Sequence, residues 1–197
     1  MNTELYKNKY RVATTRLKEW DYAANGYYYV TICTQGMELY FGTIRNELMA
    51  FHDIGNIADA YWQEIPKHHH GIMLDEYRVM PNHIHGIIVI HKCRDAVYRV
   101  STDNEKTKKK FGPLQPDSLP SIINTYKGAV TRWCNRNGHQ YFDWQDGFHD
   151  HIIRSERALK KIREYIRFNI TKWNRDKYNK NHIKNSGNTD ALVCKIS

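Results

Sequence analysis

Two histidines, His83 and His85, stand at the head of the apolar run HIHGIIVI. Side chains alternate across a β-strand, so both imidazoles are expected on the same face, about 6.6 Å apart along the chain. Imidazoles are common metal ligands, and a rigid strand can aim two of them at one ion. Two solvated or hydrogen-bonded histidines at a strand end fit the same pattern. The pair therefore indicates, at most, half of a metal site.

A second candidate pair lies in the amphipathic stretch SERALKKIREYIRFNITKW. On a helical wheel, Tyr165 and Asn169 are about 40° apart, at one edge of the apolar stripe. There Asn169 can offer a carbonyl oxygen to a hard cation, and Tyr165 can present its phenol beside it. Lys161 and Lys172 lie near the same edge and are candidates for contacts with phosphates. A tyrosine at the margin of a core is common, so the spacing alone leaves a structural role open.

Several familiar metal motifs are absent from the sequence. The zinc-deaminase pattern H-x-E with P-C-x-x-C is missing, and so is H-E-x-x-H. The cluster His68-His69-His70 is expected in a polar loop. The four cysteines form no C-x-x-C pair, which indicates reduced thiols instead of a disulfide framework or a zinc knuckle. They are Cys33, Cys93, Cys134 and Cys194.

The elements that must position these residues follow from periodicity and turn residues. Antiparallel strands in hairpins, with helices between them, predict an α+β domain in which helices pack on an antiparallel sheet. The predicted strands are 26–34, two short segments within 39–51, a hairpin around Pro81-Asn82, and 147–154. The predicted helices are 53–66, ended by Pro66, then 118–138, and 155–173, capped by Ser155. One domain is expected over 1–176, with a mobile basic loop at 91–117 and a flexible tail at 177–197.

Composition narrows the partners. The 197 residues carry a formal net charge of +9, which favours polyanions. The 14 tyrosines and five tryptophans suit stacking on single-stranded nucleic acid, although an aromatic-rich core is the commoner use. No apolar signal segment and no run of membrane-spanning length is present. We therefore expect a cytoplasmic protein without a membrane partner.

Four stretches together resemble a known family. VMPNHIHGIIVI is similar to the His-hydrophobic-His (HUH) strand of single-tyrosine transposases. The REP-associated tyrosine transposases are the branch that the other three resemble, and the matches run from about residue 10 to 176 in the family's order. These three are RLKEWDYAANGYYYVTICT, LPSIINTYKGAVTRW and WQDGFHDHIIRSERALKKIREYIRFNITKW.

The resemblance implies a ferredoxin-like fold, similar to an RNA-recognition module, and an enzyme that cleaves and rejoins single-stranded DNA. It implies that His83 and His85 bind a divalent metal ion, that Tyr165 is the nucleophile and that Asn169 is a third ligand. Mg²⁺ or Mn²⁺ is expected, although two imidazoles and an amide also suit Zn²⁺. Many relatives have proline after that asparagine, whereas this chain has Ile170, which we expect to alter local helix geometry more than chemistry.

The implied reaction joins Tyr165 to the 5′ side of the cut as a phosphotyrosine and leaves a free 3′-OH that permits rejoining. The implied partner is single-stranded or hairpin DNA of the repetitive palindromic type, bound by a monomer or homodimer. The basic loop at 91–117 is longer than the family leads us to expect. Candidates for backbone contacts, besides Lys161 and Lys172, are Arg16, Lys127, Arg132 and Arg154, for each of which solvated surface is the default.

Two other functions fit the same residues. One is a non-catalytic module that binds single-stranded nucleic acid and uses its tyrosines for stacking. The other is a metal-dependent nuclease that activates water instead of a tyrosine. A covalent adduct between protein and DNA separates the transposase from both.

Overall fold

Runs of β-branched and aromatic residues form an antiparallel sheet whose strands carry the candidate site. The computed structural model describes residues 20–92 and 115–179. The strands are β1 (Gly26–Cys33), β2 (Gly42–Arg45), β3 (Leu48–Phe51), β4 (Ile72–Val79), β5 (His83–Ile90) and β6 (His149–Ile153). The helices are α1 (Asp53–His68), α2 (Leu119–Arg136) and α3 (Glu156–Arg167), and short 3₁₀ turns lie at Gln35–Met37 and Trp173–Arg175.

The main sheet has the strand order β4-β5-β1-β6, and β2 pairs with β3 in a separate hairpin. Without that hairpin, the chain order is β1-α1-β4-β5-α2-β6, which is the βαββαβ arrangement of ferredoxin-like domains. The α+β prediction is confirmed, as are the strand before Thr34, the hairpin around Pro81-Asn82 and the two short segments within 39–51.

Strand β5 is buried on both faces, which fixes the direction of its histidines. Ile84, Ile88 and Ile90 belong to the core formed with α1 and α2. Ile87 and Val89 belong to a second core, formed with α3. Because side chains alternate, His83 and His85 lie on the α3 face of the strand. The prediction that the two histidines share a face is confirmed.

Gly86 faces the first of these cores, between Ile84 and Ile88, and the position has no room for a side chain. A Cβ atom added there would stand 2.3 Å from Cζ2 of Trp62, a fully buried residue of α1. The absence of a side chain thus lets α1 pack directly onto the strand behind the histidines.

Helix α1 differs from its predicted end. It runs to His68, two residues past Pro66, so the helix continues beyond the proline at the loss of one backbone N–H donor. Its buried positions are Ile54, Gly55, Ala58, Trp62 and Ile65. The Nδ1–H of His69, a residue expected in a polar loop, donates to the Asp117 carboxylate at 2.8 Å.

Helix α3 begins as predicted, because the Ser155 hydroxyl accepts from the Ala158 N–H at 3.2 Å. It ends at Arg167 instead of Trp173. Beyond Arg167, hydrogen bonds between residues three apart replace the i→i+4 bonds of the helix. The Asn169 N–H donates to the Ile166 carbonyl, and the Thr171 hydroxyl donates to the Phe168 carbonyl. Such local side-chain bonds compete with helix continuation. Asn169 therefore lies on a 3₁₀-type turn after the helix.

Helix α3 is held against β4 by ion pairs at an irregularity in that strand. The pairing of β4 with β5 is interrupted between Leu74 and Tyr77, which frees Asp75 and Glu76 from the regular ladder. Arg163 Nε donates to both oxygens of Asp75, at 2.9 and 3.2 Å, and Arg167 Nη2 donates to Glu76 at 2.8 Å. These two arginines flank Tyr165 on either side in sequence.

Some predictions fall outside the described residues. Arg16, most of the basic loop (93–114) and the tail from residue 180 are among them. In the part of the chain that the structure describes, no helix is long and apolar enough to span a membrane.

The Asp75–Arg163 pair yields a stability prediction. Hydrogen bonding to Arg163 lowers the pKa of Asp75. The folded state thus favours the carboxylate, and the stabilisation is present above the ordinary aspartate pKa of about 3.9 and lost as the pH falls below it. Asp75→Asn should cost about 1 kcal/mol at pH 7. Denaturant unfolding at pH 7 and pH 3 should show the difference from the unaltered protein shrinking in acid.

The matched control is Glu156→Gln. Glu156 is 83% exposed and 3.9 Å from Arg163, so its loss should leave stability nearly unchanged. Equal losses in both variants, or an Asp75 effect that persists at pH 3, would contradict this account.

Candidate metal and nucleophile site

The two histidines of β5 meet at their Nε2 atoms. His83 and His85 are 0% and 1% exposed, and their Nε2 atoms are 3.0 Å apart. Ligands that lie about 2.1 Å from one ion, at right angles to each other, are also about 3.0 Å apart. The spacing therefore fits two neighbouring ligands of one divalent cation.

Asn82 determines which nitrogen of His83 carries a proton. Its Nδ2 donates to two carbonyls, of Met37 at 3.1 Å and of Tyr178 at 2.8 Å. That leaves Oδ1 to face Nδ1 of His83, at 2.8 Å. An amide oxygen only accepts, so His83 Nδ1 is the donor, and the lone pair of the neutral ring lies on Nε2.

His85 is oriented by hydroxyls from the neighbouring strand. Thr31 is directly opposite His85 in the β1–β5 register. Its Oγ1 is 2.9 Å from His85 Nδ1, and the Tyr29 hydroxyl is 2.8 Å from the same atom. Hydroxyls both donate and accept, so this environment can serve either tautomer of His85.

Both rings are held neutral. Burial, followed by the neighbouring ring and Lys177, lowers the pKa of His83 well below its ordinary value. Burial and then Lys177 lower the pKa of His85 to about 3. Removing a cationic imidazole from water is unfavourable, whereas a neutral imidazole is the form that binds metals.

Tyr165 lies on the open side of this pair. Its hydroxyl is 3.3 Å from His85 Nε2, and the two ring centroids are 5.2 Å apart. The side chain is 38% exposed, so molecules from solvent can reach it. The structure thus brings together three of the residues singled out in the sequence: His83, His85 and Tyr165.

Asn169 presents an unsatisfied oxygen. The residue is 1% exposed, and within the described ranges its Oδ1 has no hydrogen-bond partner. A buried polar atom without a partner costs roughly 1–3 kcal/mol, and a bound cation would remove that cost. In sequence, Asn169 lies midway between Tyr165, which contacts His85, and Trp173, whose ring centroid is 6.1 Å from that of His83.

Asp176 adds a carboxylate that the sequence analysis did not identify. One of its oxygens and one nitrogen each from His83 and His85 lie within 4.8 Å of one another, and all three residues are buried. This His-His-Asp group can hold a metal ion. Nitrogen and oxygen donors together fit a divalent cation of borderline or hard character, so the residues present are compatible with the ion that the resemblance implies.

Tyr178 also belongs to the site, although we expected it in a poorly ordered tail, where nothing could aim it. That prediction was wrong. Its ring centroid is 4.6 Å from that of His83, and its carbonyl accepts from Asn82. The chain turns back after α3 and returns to β5, and no local pattern in the polar sequence KWNRDKYNK indicates this.

The predicted DNA-contacting cations have different surroundings. Lys127 Nζ donates to the carbonyls of Gln145 and Gly147, at 2.8 and 3.0 Å, so its ammonium is engaged within the chain. The Arg154 guanidinium lies over the ring of Trp20, at 5.4 Å. Four of the predicted cations are exposed, namely Arg132, Arg154, Lys161 and Lys172.

The orientation of His83 can be tested through metal affinity. Asn82→Ala removes the acceptor that fixes the Nδ1 proton, and should weaken Mn²⁺ binding about tenfold to a hundredfold. Isothermal titration calorimetry measures this. Asn25→Ala is the matched control, because Asn25 also bridges backbone groups, those of Lys92, but near the opposite end of β1. If Asn82→Ala binds Mn²⁺ as tightly as the control, Asn82 does not set the site.

Comparison with known proteins finds a relative by sequence and a solved structure with a similar fold. A Haemophilus influenzae protein described as uncharacterized is 33% identical over 177 residues, which cover 89% of this chain and 97% of that protein. No protein-family model matches the chain. The structure of a REP-associated tyrosine transposase bound to a REP hairpin aligns with a TM-score of 0.52 at 16% identity, over 83% of this chain and 77% of that one.

The resemblance seen in the sequence is thus confirmed at the level of the fold. This chain belongs to the same protein family as the Haemophilus influenzae protein, and it has the fold of the REP-associated tyrosine transposase.

Proposed function

We propose that this protein is a metal-dependent enzyme that nicks and joins single-stranded DNA, an HUH tyrosine transposase. The observation that carries the proposal is the phenol of Tyr165, 3.3 Å from Nε2 of His85, beside two buried neutral imidazoles whose Nε2 atoms converge. A nucleophile next to a site for a cation is the arrangement that phosphoryl transfer requires.

His83 and His85 would hold the divalent ion, with Asn169 as the third ligand, and its unpaired buried Oδ1 supports this role. When bound, the ion supplies Lewis-acid polarisation of the scissile phosphate. Asn82, Thr31 and Tyr29 orient the two rings through their Nδ1 atoms.

Three phenols surround the histidines, and Tyr165 is the best suited as nucleophile. Burial, as the largest cause, raises the pKa of both Tyr29 and Tyr178 far above the ordinary value. Their phenolate forms are therefore disfavoured. The Tyr29 hydroxyl is also engaged with His85 Nδ1. Tyr165, 38% exposed, is accessible to a phosphodiester approaching from solvent.

The reaction balances without a further reactant. Tyr165 Oη forms a bond to phosphorus while the bond from phosphorus to the 3′ oxygen breaks. The phenolic proton passes to water, and the departing 3′ oxygen takes up a proton to become a free 3′-OH. The phosphotyrosine retains the energy of the broken diester, so another 3′-OH can attack it and restore both the diester and Tyr165. Positioning by α3 and its two arginine–carboxylate pairs is the protein's main contribution.

The DNA partner follows from charge and from the related fold. The net charge of +9 favours a polyanion. The transposase with the same fold was solved with a REP hairpin, and we extend that class of ligand, a hairpin with a single-stranded flank, to this chain. Phe168, 48% exposed and three residues after Tyr165, offers a ring on which an unpaired base can stack.

The decisive experiment traps the covalent adduct. Tyr165→Phe removes one oxygen and should leave folding and DNA binding nearly intact, while cleavage and adduct formation are lost. Incubation with a hairpin-bearing single-stranded oligonucleotide and Mn²⁺, a denaturing gel and mass spectrometry of the adduct measure this. Tyr178→Phe is the matched control, because it removes a phenol beside the same histidines, and it should retain the adduct.

Other results would identify the alternatives. Binding without cleavage in the unaltered protein would indicate the non-catalytic module. Normal cleavage by Tyr165→Phe would indicate a nuclease that uses water. DNA mapped to another tyrosine would leave the chemistry but overturn the assignment of Tyr165.

The charge of the protein yields a separate binding prediction. Affinity for a hairpin with a single-stranded flank should exceed that for plain duplex of the same length. The affinity should also fall steeply between 50 and 200 mM salt, because binding releases counterions from the DNA and added salt opposes that release. Fluorescence anisotropy with both oligonucleotides checks this. Equal affinity for the two at near-physiological salt would contradict the preference for unpaired DNA.

A further inference from the structure

The segment after α3 forms part of the candidate site and carries a residue with no assigned role. The chain makes a 3₁₀ turn at Trp173–Arg175 and then passes the histidines of β5. Asp176 in this segment is 8% exposed, and burial of a carboxylate is unfavourable unless a cation or hydrogen-bond donors compensate. Its position beside two neutral imidazoles raises the question of what it serves.

Several contacts fix the position of Asp176. Trp173, on one side, is 8% exposed, and its carbonyl accepts from Nδ2 of the buried Asn179 at 3.0 Å. Tyr178, on the other side, packs its ring against His83, and its carbonyl accepts a hydrogen bond from Asn82 Nδ2. The segment is therefore anchored to the same asparagine that orients His83.

The carboxylate of Asp176 contributes both to its own segment and to the surroundings of the histidines. Oδ1 of Asp176 accepts from the Tyr178 N–H at 2.8 Å, which closes a local turn. A carboxylate retains further acceptor capacity after one such bond. One carboxylate oxygen lies within 4.8 Å of a ligand nitrogen of each histidine, which is within the span of the ligands around one ion.

We propose that Asp176 is a metal ligand of this site, in addition to His83, His85 and Asn169. This inference rests on the proposed function, because it concerns the same ion. The four residues supply two imidazole nitrogens, one amide oxygen and one carboxylate oxygen. An ion that accepts six ligands keeps two positions for oxygens of the phosphodiester.

The donor set determines which ion the site prefers. With one carboxylate among its ligands, a bound divalent ion and its ligands carry a net charge of +1, which still attracts a phosphate. Two imidazoles favour Mn²⁺ over Mg²⁺, because Mg²⁺ prefers oxygen ligands and gives up its water reluctantly. We therefore infer that the site binds Mn²⁺ more tightly than Mg²⁺, and that Asp176 provides its negative charge.

The test is Mn²⁺ titration calorimetry on Asp176→Asn. An asparagine keeps an Oδ1 that can accept from the Tyr178 N–H, so the local turn is retained while the negative charge is lost. Binding should weaken at least about tenfold, with unchanged thermal unfolding in the absence of metal. Glu164→Gln, an exposed neutralisation on α3, is the matched control and should bind as the unaltered protein does.

Titration of His83→Ala/His85→Ala distinguishes failure of this inference from failure of the proposed function. If the double histidine variant loses Mn²⁺ while Asp176→Asn binds as the control does, Asp176 is not a ligand and the histidine site stands. If the double histidine variant also binds normally, the metal centre of the proposed function is wrong.

A measurement on the unaltered sequence covers the case in which Asp176→Asn does not fold. In protein labelled with ¹³C at the aspartate carboxyl carbons, electron–nuclear double resonance of bound Mn²⁺ should show a ¹³C coupling that a directly bound carboxylate produces. A spectrum with nitrogen couplings and no such ¹³C coupling would overturn the assignment of Asp176. Tighter binding of Mg²⁺ than of Mn²⁺ in calorimetry would overturn the inferred preference for Mn²⁺.

Discussion

The approach of two buried imidazole nitrogens to 3.0 Å is the constraint on which the site depends. Two neutral rings reach that distance only if one nitrogen donates to the other or if both face a cation. Protonating either ring would place a positive charge where burial and Lys177 already oppose it. The surrounding structure must therefore hold both rings neutral and aim their lone pairs, without water to compensate for errors.

Strand β5 meets this requirement because it is covered on both faces. The core with α1 and α2 fixes Ile84, Ile88 and Ile90, and the core with α3 fixes Ile87 and Val89. A register slip of one residue would turn every one of these side chains to the wrong face, so the pairing of Thr31 with His85 is strongly specified. The packing of the apolar residues of β5 thus positions His83 and His85 at its start.

Much of this arrangement follows from local sequence. Alternation places His83 and His85 on one face, and helical spacing places Tyr165 beside the apolar stripe of α3, where its hydroxyl does contact His85. Asp176 and Tyr178 could not be predicted in the same way. Their placement depends on the chain turning back after α3, and a short polar segment has no periodicity that reports such a return. Asn82 was visible as a turn residue, but its two amide bonds to Met37 and Tyr178 join distant segments.

The unequal surroundings of the two rings explain how one site can exist with and without a cation. Asn82 Oδ1 permits only the tautomer of His83 that carries its proton on Nδ1. Without an ion, His85 can therefore satisfy the short contact by donating from Nε2 to the lone pair of His83. If a cation occupied both Nε2 lone pairs, the His85 proton would lie on Nδ1, where the hydroxyls of Thr31 and Tyr29 could accept it instead of donating. A fixed amide at one ring and adaptable hydroxyls at the other let the pair be hydrogen-bonded in both states, with no movement of the strand.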